Sequence, residues 1–211
     1  MEGSATAADS AKLDIVVFGA SGFTGKYVVR ELLRAGFGGS RVALAGRNRS
    51  KLAEFLKWAV ETSSSIQPPQ SLPLIEADVS NPASLAAMCR RTRLVLNCVG
   101  PFRLYGEPVV SACVDAGSDY LDITGEPEFM ERMEVSYHEA AKEKGVLVVS
   151  ACGYDSIPAE IGLLHHLGQW TAATSLPNSV NCFIHITSTE KVVGNLGTWE
   201  SAVLGVSSAK E

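Results

Sequence analysis

The sequence lacks most of what marks a secreted, membrane-spanning or nucleic-acid-binding chain. Its five cysteines, Cys89, Cys98, Cys113, Cys152 and Cys182, are odd in number and never spaced as C-x-x-C. That pattern argues against a disulfide framework or a zinc site and for a reducing compartment. Most lie in apolar stretches, where cysteine acts as a small hydrophobe. The four histidines show no ligand spacing; His165 and His166 are adjacent and point apart on a helix, so no metal is expected. No apolar run approaches the roughly 20 residues that cross a bilayer. Met1–Lys12 is small and polar, with Glu2, Asp9 and no arginine, unlike an Arg-rich presequence or an apolar secretory signal. A disordered N-terminus over residues 1–12 and a cytoplasmic location are the expectation. Basic excess is missing too. The formal charge is −5 and the pI near 5.4, which argues against a nucleic-acid partner.

What is present is a rhythm. Apolar residues make up 46% of the 211-residue chain and charged residues 19%, enough apolar surface for a core. Short apolar runs occur at Asp14–Phe18, Val42–Ala45, Leu72–Ala77, Leu94–Val99, Tyr120–Ile123 and Val146–Ala151. Helical segments alternate with them, at Thr24–Ala35, Ser50–Glu61, Pro82–Arg90, Glu107–Ala116 and Pro127–Lys144. Strands that are apolar throughout and alternate with helices imply a parallel sheet covered on both faces. The fold class is therefore α/β, a Rossmann-type doubly wound sheet, complete by Ala151. Asn81-Pro82, Gly106-Glu107-Pro108 and Gly125-Glu126-Pro127 supply helix starts, and Thr62–Pro73 reads as a surface loop. Beyond Ala151 the rhythm changes. A helix is expected from near Pro158 to about Gln169, then one alternating strand at Val180–Ile186, then a Gly-, Ser- and Thr-rich tail. One strand and one helix cannot enclose a second core, so residues 152–211 read as the start of an incomplete α+β domain with an exposed strand edge that promotes association.

The chemistry concentrates at Ile15–Gly25, which is strand, turn and helix start in one line. In Gly19-Ala20-Ser21-Gly22-Phe23-Thr24-Gly25 the glycines follow G-x-x-G-x-x-G. Gly19 permits the tight turn, Gly22 lets backbone amides approach a phosphate, and Gly25 lets the helix pack on the strand. The helix start adds free N–H groups and a positive dipole end. A dinucleotide pyrophosphate is the implied ligand. Two rivals fall away. Gly25-Lys26-Tyr27 is not the G-K-[ST] of a P-loop, and no tyrosine is followed four residues on by lysine, so a short-chain dehydrogenase pair is absent.

Other strand ends refine this. NAD enzymes place a carboxylate after the second strand; here Gly46-Arg47-Asn48-Arg49 follows, and Arg47 suits a 2′-phosphate. NADP is therefore expected, with NAD the lesser choice, although an ordinary surface role for Arg47 stays open. Asp78 and Val79 follow the third strand, where they either meet adenine or simply form a cap. Cys98, Val99, Gly100 and Pro101 follow the fourth, at the switch point expected to border the nicotinamide ribose. Arg103 reads as either a substrate-carboxylate anchor or a solvated surface residue. Asp122, Glu126, Tyr154 and Asp155 are acid–base candidates or caps, and no catalytic pair can be assigned.

These residues resemble a known family. Val16–Gly25, Ala45-Gly46-Arg47, Asn97–Gly106, Gly125-Glu126-Pro127, Gly153–Pro158 and Gly197-Thr198-Trp199 are similar to the saccharopine dehydrogenase-like oxidoreductases. The resemblance implies a dinucleotide domain (13–151) followed by a substrate and dimerisation domain (from 152), in members about twice as long. It also implies similarity to trans-acting enoyl reductases acting on lipid-linked chains, a full-length homodimer, and association with lipid droplets, mitochondria or membranes. Two readings follow: an NADP-dependent oxidoreductase acting on a small or lipid-linked substrate, or a non-catalytic dinucleotide-binding scaffold.

Overall fold

The computed structural model describes residues 12–37, 41–63, 72–169, 178–185, 187–189 and 194–208. Apart from Lys12, the expected disordered N-terminus lies outside the described residues, as does most of the Thr62–Pro73 loop. Six strands form one parallel sheet: β1 (Leu13–Phe18), β2 (Val42–Gly46), β3 (Leu74–Glu76), β4 (Thr92–Asn97), β5 (Asp119–Asp122) and β6 (Val148–Val149). Their order is β3-β2-β1-β4-β5-β6, so the chain builds one half with β1 to β3 and crosses from β3 to β4 to build the other, which puts the switch point between β1 and β4. There two adjacent loops leave in opposite directions and open a crevice at the strands' C-terminal ends.

Alternation along each strand feeds two cores. Val16 and Phe18 of β1, Ala43 and Ala45 of β2 and Val95 of β4 pack into one. Val17, Val42 and Leu44 pack into the other, with Leu96 against it. Because successive side chains point to opposite faces, each strand serves both layers, which is why these runs show no polar alternation. Helices α1 (Phe23–Arg34) and α2 (Arg49–Thr62) cover one face. Gly25, Val29 and Leu33 make the inward stripe of α1. On the other face lie α3 (Pro82–Cys89), then, after a short α4 (Phe102–Tyr105), α5 (Glu107–Ala116) and α6 (Pro127–Lys144). Phe129 of α6 is fully buried, a contribution of about 1.5–3 kcal/mol for a large apolar side chain.

Boundaries differ where local chemistry overrides the apolar run. β3 begins after Pro73, whose carbonyl accepts from Leu44 N–H at 3.0 Å but whose nitrogen has no proton to donate. β6 ends before Ala151, whose φ of +59° leaves the extended region. Farther on, α7 (Ile157–Gly168) appears near its expected place, while α8 (Leu196–Ser208) replaces the expected tail. The strand expected at Val180–Ile186 is not formed: residues 180–185 are irregular, with Phe183 93% exposed, and Ile186 lies outside the described residues. An alternating run becomes a strand only when another strand pairs with it, and among the described residues none does so, so these residues show no strand edge of the kind expected to drive association.

Candidate dinucleotide site

The glycine turn sits at the crevice. Gly19 has φ +82°, a left-handed conformation that favours glycine. Its N–H and that of Ala20 both reach the Ala45 carbonyl, at 2.9 and 3.2 Å, while Gly22 N–H closes the turn on Gly19 O at 2.8 Å. A β-carbon on Gly19 would come within 2.8 Å of a Val99 methyl, so the turn is wedged against the loop after β4. Gly22 is the N-cap of α1 and supplies no side-chain cap. The first N–H groups of α1 therefore lack the protein acceptor that a Ser or Asp cap would give them, an arrangement suited to an anion. Ser21 is half-buried beside Gly46, its Oγ 3.6 Å from where a Gly46 β-carbon would stand.

The residues after β2 divide three tasks. Asn48 Oδ1 accepts from Lys51 N–H at 3.0 Å and caps α2. Arg49 donates to the Leu74 carbonyl at 2.8 Å. Arg47 is exposed and enters no hydrogen bond or ion pair among the described residues. Asp78, across the β2–β3 end, binds the N–H and hydroxyl of Ser80 at 2.9 and 2.8 Å. Those bonds, backbone first, hold its carboxyl below the usual range, with the Arg47 charge adding to them. Asp78 is thus a turn-forming residue with one carboxylate oxygen already used, and Val79 packs against the core.

After β4, Cys98 N–H bonds to the Phe18 carbonyl at 2.8 Å, tying the two strand ends at the switch point. Gly100-Pro101 is cis. Burial and the Asp122 charge push the Cys98 thiol up to about 12, so it stays protonated at neutral pH. The structure thus brings Gly19–Gly25, Arg47 and Cys98–Pro101 to one edge of the sheet, with Asp78 beside Arg47. The uncapped α1 start, the crowded glycines and the unengaged Arg47 fit a phosphorylated dinucleotide.

Residues 15–149 match the family model described as the saccharopine dehydrogenase NADP binding domain. The chain belongs to this saccharopine dehydrogenase NADP-binding family. Its cofactor is NADP. An Arabidopsis thaliana relative named "Probable mitochondrial saccharopine dehydrogenase-like oxidoreductase" is 54% identical, covering 94% of this chain and 44% of the relative. A Caenorhabditis elegans relative named "Lipid droplet localized protein" is 41% identical over 94% of this chain and 46% of its own length. The chain thus spans about half the length of the curated relatives it matches. Among solved structures, apo saccharopine dehydrogenase (L-Glu forming) from Saccharomyces cerevisiae aligns with a TM-score of 0.51 at 16% identity, over 74% of this chain and 32% of that one; it supports the fold.

In this NADP-binding domain several of the catalytic candidates are already engaged. Glu126 accepts from the N–H groups of Phe102 and Arg103 at 2.9 and 3.0 Å and from Ser201 Oγ at 3.0 Å. It caps α4 from outside that helix. Arg103 donates to the Leu204 carbonyl of α8 at 2.7 Å and to Glu128 at 2.9 Å. It holds neighbouring elements together, with its side chain 15% exposed, so it is not the solvated surface residue that the sequence also allowed. Asp122 is 1% exposed and accepts from Tyr120, Ser150, Thr124 N–H and Ala151 N–H. Burial pushes its carboxyl up against those donors. Tyr154 and Asp155 remain exposed. Sequence reasoning missed α4, α8 and the polar chain through Tyr120. The one local signal was Tyr120 and Asp122 two apart in a strand, hence on one face.

Proposed function

We propose that this chain is the cofactor-binding part of an NADP(H)-dependent oxidoreductase that exchanges hydride with an unidentified small-molecule or lipid-linked substrate. The observation that carries the reading is the uncapped α1 start beside an unengaged Arg47. In it, Gly19, Ala20, Ser21, Gly22, Phe23, Thr24 and Gly25 hold the pyrophosphate, Arg47 grips the 2′-phosphate, and Asp78 with Val79 borders adenine. Cys98, Val99, Gly100 and Pro101 border the nicotinamide ribose. The nicotinamide, when bound, supplies the hydride donor or acceptor; the protein supplies orientation and a fixed wall.

Residues 152–211 are read as the beginning of a substrate and dimerisation domain that is completed in full-length homodimers. The relatives' names support a lipid-droplet or mitochondrial setting for a cytoplasmic enzyme. The association proposed is peripheral, as the family resemblance implies; among the described residues no helix is long and apolar enough to cross a membrane. Saturable quenching or enhancement of NADPH fluorescence by the folded chain tests cofactor binding, and its absence would refute it. A second reading, a dinucleotide-binding scaffold, is favoured by the engagement of Glu126, Arg103 and Asp122 in structural bonds. A full-length relative that binds NADPH yet transfers no hydride to enoyl or imine substrates would decide for the scaffold.

A further inference from the structure

One buried polar chain links the ends of three strands on the nicotinamide side of the crevice. Asn97, Tyr120 and Asp122 are exposed by 1%, 0% and 1%. Asn97 Nδ2 donates to Tyr120 Oη at 3.1 Å, and Tyr120 Oη donates to Asp122 Oδ2 at 2.9 Å. Ser150 Oγ donates to the same Asp122 oxygen at 3.1 Å. Each end of the chain grips backbone. Asn97 Oδ1 accepts from Val99 N–H at 3.0 Å, and Asp122 Oδ1 accepts from Thr124 N–H and Ala151 N–H, each at 3.0 Å. Thr124 Oγ1 then accepts from Glu126 N–H at 3.1 Å, and Glu126 caps Phe102 and Arg103. The Cys98–Pro101 segment is thereby held from both sides, by Asn97 at its start and by Glu126 just after it.

We propose that Asn97, Tyr120, Asp122 and Ser150 are positioning residues that set the nicotinamide half of the cofactor cleft. The inference rests on the cofactor reading above, in which Cys98–Pro101 borders the nicotinamide ribose. Ala151 adds a separate sign. Its φ of +59° is costly for a residue with a β-carbon, and Asp122 holds its N–H; such conformations cluster at functional sites. A buried phenol used only to fill space needs no hydroxyl, whereas this one joins two side chains from different strands, and partly broken buried networks lose their specified geometry.

The test compares two probes. NADPH engages the whole cleft, while 2′,5′-ADP engages only the half at Gly19–Gly25 and Arg47. Tyr120→Phe is expected to weaken NADPH about ten-fold, the scale of one broken buried hydrogen bond, and to leave 2′,5′-ADP within about two-fold. Ser150→Ala, half-buried and easily accommodated, moves NADPH in the same direction by about three-fold and carries the test if Tyr120→Phe fails to fold. Equal weakening of both probes would show a merely structural network and overturn the proposal, as would no change in either. A wild-type chain that binds neither probe overturns the cofactor reading and this inference with it, an outcome distinct from the other two.

Discussion

Gly25 packs against the Gly19 carbonyl so closely that a β-carbon on Gly25 would lie 2.8 Å from the Gly19 carbonyl carbon and 2.9 Å from Ala20 Cα. All of those neighbours are backbone, so no rotamer change can relieve the contact. This approach lets α1 start directly over the turn.

Gly25→Ala is therefore expected to cost about 1–3 kcal/mol by overpacking and to remove saturable NADPH binding. Gly36→Ala is the control. Gly36 has φ +86° and nothing within 4 Å of its would-be β-carbon. It should lose about 1–2 kcal/mol from backbone strain yet bind NADPH normally. Urea denaturation with NADPH titration on both variants checks this. Unchanged binding in Gly25→Ala would remove the turn from the site.

Arg47 gives the cofactor preference its test. A guanidinium on a 2′-phosphate makes charge-assisted bonds of about 1.5–3 kcal/mol, so Arg47→Ala should weaken NADPH by about 10- to 100-fold. NADH, which has no 2′-phosphate, should change by less than about two-fold. Equal effects on both cofactors would mean that Arg47 does not read the phosphate.

The sheet was legible because its signal is local: six apolar runs, each bounded by turn chemistry, with helix starts at Asn81-Pro82 and Glu126-Pro127. The glycine turn was legible for the same reason. What escaped depends on distant partners. The four residues of α4 are too few to show periodicity, and their cap is Glu126, which follows a different strand. The Gly, Ser and Thr residues of α8 suppress helix propensity, while Ser201 to Glu126 and Arg103 to Leu204 tie the helix to the cofactor domain. Asp122 was a sound acid–base candidate by type and place. Four donors around its carboxylate, contributed by residues from 120 to 151, make it a structural hub instead.

The same ties carry a pH dependence. Burial raises the Glu128 carboxyl, but hydrogen bonds from Arg103 and Arg132 outweigh it and hold the group below its ordinary 4.5. A lowered carboxyl stabilises the fold above the unfolded value, and that stabilisation disappears as pH falls through the lower folded value. Glu128 is 49% exposed, so the contribution is screened and stays within about 1 kcal/mol. The gap between wild type and Glu128→Gln in urea midpoint should be open at pH 6 and narrow progressively as pH falls below the ordinary value. A gap that persists at low pH would show that the glutamine disturbs packing rather than charge.

Thiol reactivity reads the crevice without a substrate. Of the five cysteines Cys182 is exposed, Cys89 and Cys113 are buried, and Cys98 and Cys152 are half-buried. The thiolate is the reactive form. With the Cys98 thiol pushed up to about 12, its thiolate fraction at pH 8 is on the order of 10⁻⁴, against roughly a tenth or more for a free thiol. A native chain treated with an aromatic disulfide reagent at pH 8 should release one fast equivalent, lost in Cys182→Ser, and react slowly elsewhere. Cys98 should account for part of the slow phase because it lies at the switch point, joined to Phe18. NADPH should slow modification of Cys98, read by peptide mapping, and leave the fast Cys182 phase unchanged. If NADPH protects neither cysteine while binding saturably, the ligand lies away from the β1–β4 crevice and the assignment of Cys98–Pro101 to the cofactor fails.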